Sequence, residues 1–566
     1  MVSFDLPAFA RRHRYLLAAG GLIAVGVALR LALILAGWPH SNSEEGTMGL
    51  EAMHILLRGE RPIYFYGQNY MGAGEAYLGA LAFQFFGVSL VALRLGMVAL
   101  YALFMVGVGW LAQMLYGRRV ALVALAILAL GTPFLLQIEL LADGGKAETL
   151  ALGALMFALA AWLALTQPTA EQPPPRRRRA LRSLGFVAWG VMAGFGLYTY
   201  TIIAPFALTS GLLLWLNCRR ELRGWALALP LAGLLIGLAP DILYTLTTPL
   251  SQNPIAVSLS LHGSLNAGAG AGPSGLALLP KQLDGALLYT LPTVTGLTNL
   301  YPVEALPLYG PPSWGMVAAV VIGGGWSLGY LALLVAATAR PLRALDLRPA
   351  TLRQPWELWQ TLADSAHARD LARLLLTLAA WLTIVGYTLS ATAANNPHSG
   401  RYMIGLLIVT PALLWPLADP LSTGRAWRVA ALALVGLCLL IGVASVIQTF
   451  PDELGANVRD QQLISALESQ RVTRFYAGYW TCDLLNFKTR ERLTCAVVNE
   501  YARPGLTRYH PYAVAVRADP SAPYLLSPGS ELERTFLAAS AQSHTRYSVR
   551  TLDGYHIYTP VTSQPG

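Results

Sequence analysis

The segment 15–37, YLLAAGGLIAVGVALRLALILAG, follows Arg11, Arg12 and Arg14 and precedes the acidic pair Glu44 and Glu45. It carries one charge, Arg30, in an otherwise apolar run. Hydrocarbon offers a backbone no hydrogen-bond partners, so such a run crosses a bilayer as a helix, and about 20 apolar residues suffice. With three arginines before it and no small-residue cleavage site after it, the run reads as a signal anchor with its N-terminus in the cytoplasm.

The rest of the chain repeats the pattern. Of 566 residues, 55% are hydrophobic and 12% charged, and the mean hydropathy is +0.49, which excludes an ordinary water-exposed surface. Further runs at 89–115, 120–137, 147–165, 183–199, 202–216, 224–246, 313–338, 371–391, 402–417 and 428–447 bring the expected total to about eleven transmembrane helices. Basic clusters at 118–119, 176–179, 219–223, 340–353 and 425–428 all fall on the cytoplasmic side of that arrangement, as the positive-inside rule requires. The opposite loops hold only Arg58, Arg61, Lys146, Lys281 and Arg401 as basic residues. The net charge of +10 is therefore an orientation signal and excludes a nucleic-acid partner.

An odd number of spans delivers the C-terminal segment to the outside. The expected organisation is an all-α polytopic membrane domain at 1–450, with outer loops at about 38–88 and 247–312, and a small extracytoplasmic α/β domain at 451–566. The first outer loop contains an amphipathic stretch at 49–57 and an apolar stretch at 76–86 that is too short to span and suits the interface. The second contains the Gly/Ala-rich run 267–272. The terminal domain combines a polar helix at 459–470 with strand-like runs at 474–480, 513–517 and 555–558. Its two cysteines, Cys482 and Cys495, lie in an expected oxidising compartment, where either a disulfide or two buried thiols fits.

The first outer loop carries the densest chemistry: Ser43-Glu44-Glu45-Gly46, then Glu51, Arg58-Gly59-Glu60-Arg61, and Tyr66-Gly67-Gln68-Asn69-Tyr70. Adjacent carboxylates raise each other's pKa, and one can become a general base. Glu51 and Glu60 read as solvating charges. Glu75 opens the interfacial stretch, and Asp143, Lys146 and Glu148 stand at the outer entry to the fourth span. Asp143 also suits a helix-start charge, with Lys146 as its ion-pair partner.

With the entry Phe85-Phe86-Gly87-Val88-Ser89-Leu90-Val91-Ala92-Leu93-Arg94-Leu95 and His398-Ser399-Gly400-Arg401-Tyr402, this segment resembles the GT-C class of membrane glycosyltransferases. That superfamily includes protein O-mannosyltransferases and lipid A aminoarabinose transferases. The resemblance is fullest over 16–165. It departs from the family where the usual Asp is Glu44, so the base is Glu44 or Glu45.

The resemblance implies transfer of a sugar from a polyprenyl-phosphate donor to the hydroxyl of an extracytoplasmic acceptor (a lipid, a glycan or a protein) with inversion at the anomeric carbon. Glu44, Glu45 and Asp143 are then the catalytic candidates. Glu75, Arg94, Arg401, Tyr402, Lys146 and Arg30 are the substrate-binding ones, because guanidinium groups suit a leaving phosphate. An intramembrane Arg30 is itself expensive and points to function, whereas Arg401 beside Tyr402 also suits an interfacial anchor. No cofactor is required; a divalent cation would have Glu75, His262 and His398 to draw on, without the tight spacing of a true metal motif. Tyr476, Tyr479 and Trp480 can stack on sugars or fill a core. The competing readings are a transporter or flippase, against which stands the lack of a repeat, and a non-catalytic assembly factor.

Overall fold

The computed structural model describes residues 6–168, 175–249, 252–254, 257, 275–297, 301–345, 364–418, 424–499, 503–542, 546–552 and 554–561. Helices dominate. Among the described residues, eight are long and apolar enough to cross a membrane, and two bent helix pairs raise the number to as many as ten. The chain is a multi-pass membrane protein.

The eight include α1 (Leu6–Leu35), and the segment after it supplies α2 (Ser43–Arg58) and α3 (Gly74–Phe86). The span α4 (Leu90–Tyr116) begins where Ser89 accepts a hydrogen bond from the Ala92 amide, the capping that the Gly-Val-Ser entry encodes.

The expected span 120–137 is two helices, α5 (Arg118–Leu130) and α6 (Pro133–Leu140), bent by 76°. Gly131 adopts a left-handed φ of 72°, and Pro133 cannot donate the next backbone bond, so the helix restarts in a new direction. The expected span 224–246 breaks likewise, by 58° before Pro240. The expected span 202–216 lies on the shorter helix Thr201–Asn217.

The chain divides into two compact units, one comprising 1–30, 99–139 and 146–446, the other 31–98, 140–145 and 447–566. The first holds most of the hydrophobic helices, among them α7 (Lys146–Leu165). The second joins the segment 31–98 to the C-terminal region.

In that second unit five strands form a mixed sheet of order β2-β1-β3-β5-β4. β1 (Arg474–Ala477) runs parallel to β2 (Thr494–Val497) and β3 (Tyr524–Leu526), while β4 (Tyr547–Leu552) and β5 (Tyr555–Pro560) close the sheet antiparallel. Phe475 and Ala477 point into a core with Leu467, Leu525 and Ile557, the alternation expected of a half-buried strand.

Three expectations change here. The polar helix 459–470 is the end of the 45-residue helix Arg425–Ser469, which runs through the expected boundary at 450/451. The run 474–480 is a strand only to Ala477, after which Gly478 leads into α8 (Tyr479–Lys488). The run 513–517 belongs to helix α9 (His510–Arg517), not a strand, because its buried positions, Tyr512 and Val516, are four residues apart on one helix face. Cys482 and Cys495 form a disulfide that ties α8 to β2.

Candidate active site

Helix α2 begins with Asn42, whose side chain accepts the Glu45 amide at 2.9 Å, and ends at Gly59 with φ 68°. Glu44 and Glu45 therefore occupy the first turn, where unpaired amides favour negative charge. The helix can lie against α8 because two positions lack side chains. A Cβ on Gly46 would sit 2.6 Å from the Asp483 and Leu484 backbone, and one on Gly49 would sit 2.6 Å from the Phe487 ring. Thr47 Oγ1 donates to Asp483 Oδ2 at 2.8 Å, and the Asp483 amide donates to Ser43 Oγ at 3.2 Å.

The two adjacent glutamates face different surroundings. Glu45 is fully buried and accepts from Arg94 Nε at 2.8 Å and Nη2 at 2.7 Å, and from the Ala142 amide at 3.3 Å. This is a bidentate buried ion pair, and both charges are consumed by it. Glu44 keeps 14% of its side chain exposed and accepts from Arg508 Nη2 at 3.0 Å and the Tyr479 hydroxyl at 3.5 Å.

Arg508 is itself held from all sides. Its Nε donates to the Tyr479 hydroxyl at 2.7 Å and its Nη1 to the Tyr66 carbonyl at 3.2 Å. The Gln68 carboxamide, oriented with its oxygen inward, accepts from Nη1 at 2.8 Å and Nη2 at 2.6 Å. The guanidinium also lies 4.8 Å from the Phe65 ring centre. Burial pushes the Tyr479 hydroxyl up to about 12, against the opposing pull of Arg508, so it stays a neutral donor at physiological pH.

The loop 141–145 is fixed by the same acids. As the Ala142 amide binds Glu45, the Gly144 amide donates to Glu75 Oε2 at 2.9 Å. Gly144 has φ +103°, and a Cβ there would collide with the Met71 side chain at 2.0 Å. Asp143, buried, sits between the two anchored amides. Glu45, Glu75, Arg94 and Asp143 are thus brought together, whereas Glu44, one residue earlier on the helix, faces Arg508 and Tyr479.

A second cluster fastens the far end of α2. Buried His54 lies 3.1 Å from the Tyr66 hydroxyl and 3.1 Å from Glu491 Oε1, which also accepts from Arg58 Nη2 at 2.6 Å and Tyr512 at 2.8 Å. Burial raises the Glu491 carboxyl, but the bonds from His54, Tyr512 and Arg58 outweigh it and hold the group near 2. Glu60 accepts from Tyr66 at 2.5 Å and Tyr509 at 3.0 Å. Glu51 is fully buried, and its Oε2 accepts the Tyr66 amide at 3.0 Å. Neither Glu51 nor Glu60 is the solvating charge expected of an outer loop.

The remaining expected residues lie in the first unit. Arg30 is fully buried; it donates from Nε at 2.9 Å and Nη2 at 2.6 Å to Glu139 Oε2 and from Nη1 at 2.6 Å to the Ala129 carbonyl, and it lies over the Tyr101 ring at 3.6 Å. Its charge is therefore met inside the bundle, without snorkelling. Lys146 is buried at the start of α7. Arg401 lies 5.2 Å from the ring centre of Tyr402, which stacks on Tyr387. His398 Nδ1 pairs with the Tyr289 hydroxyl at 2.9 Å. His262 and the run 267–272 lie outside the described residues. Among the described residues, no three His, Cys, Asp or Glu side chains gather into a group able to hold a metal ion.

Sequence reasoning missed Arg508, Glu139 and Glu491. Tyr479 was singled out, as a sugar-stacking or core aromatic; its ring does lie beneath Arg508, 5.4 Å from the guanidinium carbon. Trp480 is exposed, and Tyr476 stacks on Tyr524.

No family model and no curated protein matches the sequence. Solved structures are similar over most of the chain. ArnT from Cupriavidus metallidurans, bound to undecaprenyl phosphate, superposes with a TM-score of 0.53 at 13% identity, over 98% of this chain and 99% of that one. The archaeal oligosaccharyltransferase AglB from Archaeoglobus fulgidus, in complex with an inhibitory peptide and a dolichol-phosphate, matches at 0.43 and 13% identity, over 98% of this chain and 75% of its own. The likeness to ArnT spans nearly the full length of both chains, and by it this chain has the GT-C-like fold that the resemblance over 16–165 implies.

Proposed function

We propose that the protein is a membrane glycosyltransferase that moves a sugar from a polyprenyl-phosphate donor to the hydroxyl of an acceptor outside the cytoplasm. The carrying observation is the division of labour in the first turn of α2: Glu45 is buried on Arg94, whereas Glu44 stays partly exposed and held by Arg508. A base must reach its proton, so Glu44 is the base and Glu45 the anchor. Fold likeness to ArnT, a structure that holds undecaprenyl phosphate, supports a lipid-linked donor.

In this reading Glu44 takes the proton of the acceptor hydroxyl as its oxygen attacks the anomeric carbon. The bond from that carbon to the phosphate oxygen breaks on the opposite face, and the configuration inverts. Arg508 and Tyr479 position the Glu44 carboxylate, and Asp143, set by Glu45 and Glu75, orients the acceptor. Arg30 and Arg94 are paired to Glu139 and Glu45, so neither guanidinium serves the leaving phosphate in this reading. The N-terminus is cytoplasmic and the terminal domain outside.

The test supplies purified protein with polyprenyl-phosphate sugars and follows release of the lipid phosphate. Release that depends on Glu44 supports the proposal. Intact donor after exposure to a panel of sugars and acceptors, by protein that binds the lipid, would sink it.

A further inference from the structure

The helix α10 (Trp314–Ala344) carries a stripe that its role as a span does not explain. Leu328, Leu331, Ala332, Val335, Ala336, Ala339, Arg340 and Arg343 recur every three or four residues and line one wall of a groove of about 680 Å³. Trp415, Gly424 and Trp427 line the other. The wall is apolar for most of its length and ends in two guanidinium groups.

Leu328 and Val335 are exposed, as residues facing acyl chains would be. From Leu328 to Arg343 the helix rises about 22 Å, against about 15 Å for one leaflet of hydrocarbon. One acyl chain and its headgroup fit that length.

Among the described residues no ion pair involves Arg340 or Arg343, and the acid nearest in the adjoining cavity, Asp370, is already bound to Arg373 Nη1 at 2.8 Å. The Arg340 guanidinium lies over the Trp415 ring at 4.2 Å, a contact that uses its face and leaves its N–H edge to donate. Arg425 and Arg428 flank Trp427 in sequence and add positive charge to this end.

We infer that this groove is a binding site for an anionic phospholipid, with an acyl chain along Leu328–Val335 and its phosphate on Arg340 and Arg343. Basic pockets between membrane helices are suited to such headgroups, each cation contributing about 1 kcal/mol near a charged surface. Tryptophan at the rim suits the headgroup level.

The full-length protein in detergent would be mixed with phosphatidylglycerol or phosphatidylcholine, and the retained lipid counted by native mass spectrometry. The inference expects phosphatidylglycerol to be retained at least tenfold better. Arg340→Gln with Arg343→Gln should bring it to the phosphatidylcholine level. Arg176→Gln with Arg177→Gln, on another basic helix end, should leave it unchanged. Equal retention of the two lipids by the unaltered protein overturns the site, as does an undiminished preference in the Arg340/Arg343 variant. Equal losses in both double variants would mean diffuse attraction and also overturn it.

Discussion

Arg508 Nη2 meets Glu44 Oε1 at 3.0 Å across 464 residues of chain. The contact places a side chain of the C-terminal region on the one carboxylate of the α2 pair that solvent can reach. Tyr479 and Gln68 hold the guanidinium plane, so the orientation of Glu44 is set by the fold itself.

In the proposed reaction Glu44→Gln removes the base, and it should lower kcat by about 10²–10⁴-fold with the fold retained. Arg508→Lys keeps the charge but loses the planar fork that reaches Tyr479, Gln68 and Glu44 together. Its kcat should fall by about 10–100-fold, with the donor KM little changed. Steady-state kinetics on both variants separates these outcomes; an unaltered kcat for Arg508→Lys would remove the positioning role.

The Glu45–Arg94 pair should behave as structure. Removing one partner leaves a buried uncompensated charge, so Glu45→Leu or Arg94→Met alone should cost about 3–5 kcal/mol of stability. The double variant should recover much of that loss. Thermal unfolding of all three completes the cycle, and strictly additive losses would mean that the pair is not coupled.

Much of this arrangement is written locally. The apolar runs announce helices because a bilayer tolerates little else, whereas the amphipathic stretch read at 49–57 starts six residues late, because the capping Asn42 was not weighed. The break at Gly131–Pro133 was legible too, had Gly and Pro been weighed against the apolar run around them. Arg508 and Glu491 carried no such mark: a lone Arg in a polar stretch reads as surface until the chain folds back on α2. Glu139 sat just beyond the end of an assumed span, and only the bend after Gly131 lets it meet Arg30. Ala513–Arg517 misled because alternating Ala and Val fit a strand and a helix equally.

Gly46→Ala tests whether α2 and α8 must stay in contact. The added carbon would lie 2.6 Å from the Asp483 and Leu484 backbone, which cannot swing aside as a side chain can. Overpacking of this kind costs about 1–3 kcal/mol, and displacing α2 also moves Glu44 away from Arg508. Both the unfolding temperature and kcat should drop. A loss of kcat without any loss of stability would contradict this account.

Glu51 gives the protein a pH dependence of definite sign. Burial, with a smaller push from Glu60, raises its carboxyl to about 8 against the opposing Tyr66 amide, from 4.5 in the unfolded chain. Between those values the folded state holds the extra proton, so stability should decline as pH rises from about 4.5 to about 8 and level off above. Glu491 works the other way: its depressed carboxyl contributes fully above 4.5 and loses that contribution only as pH falls toward 2, so it is constant across this window. Glu51→Gln keeps an acceptor for the Tyr66 amide and cannot ionise. Its unfolding temperature should therefore fall less between pH 5 and pH 8 than that of the unaltered protein, and exceed it at pH 8. Thermal unfolding across that range checks the difference, and parallel curves would place the pH dependence on other groups, such as Asp483, which burial also raises.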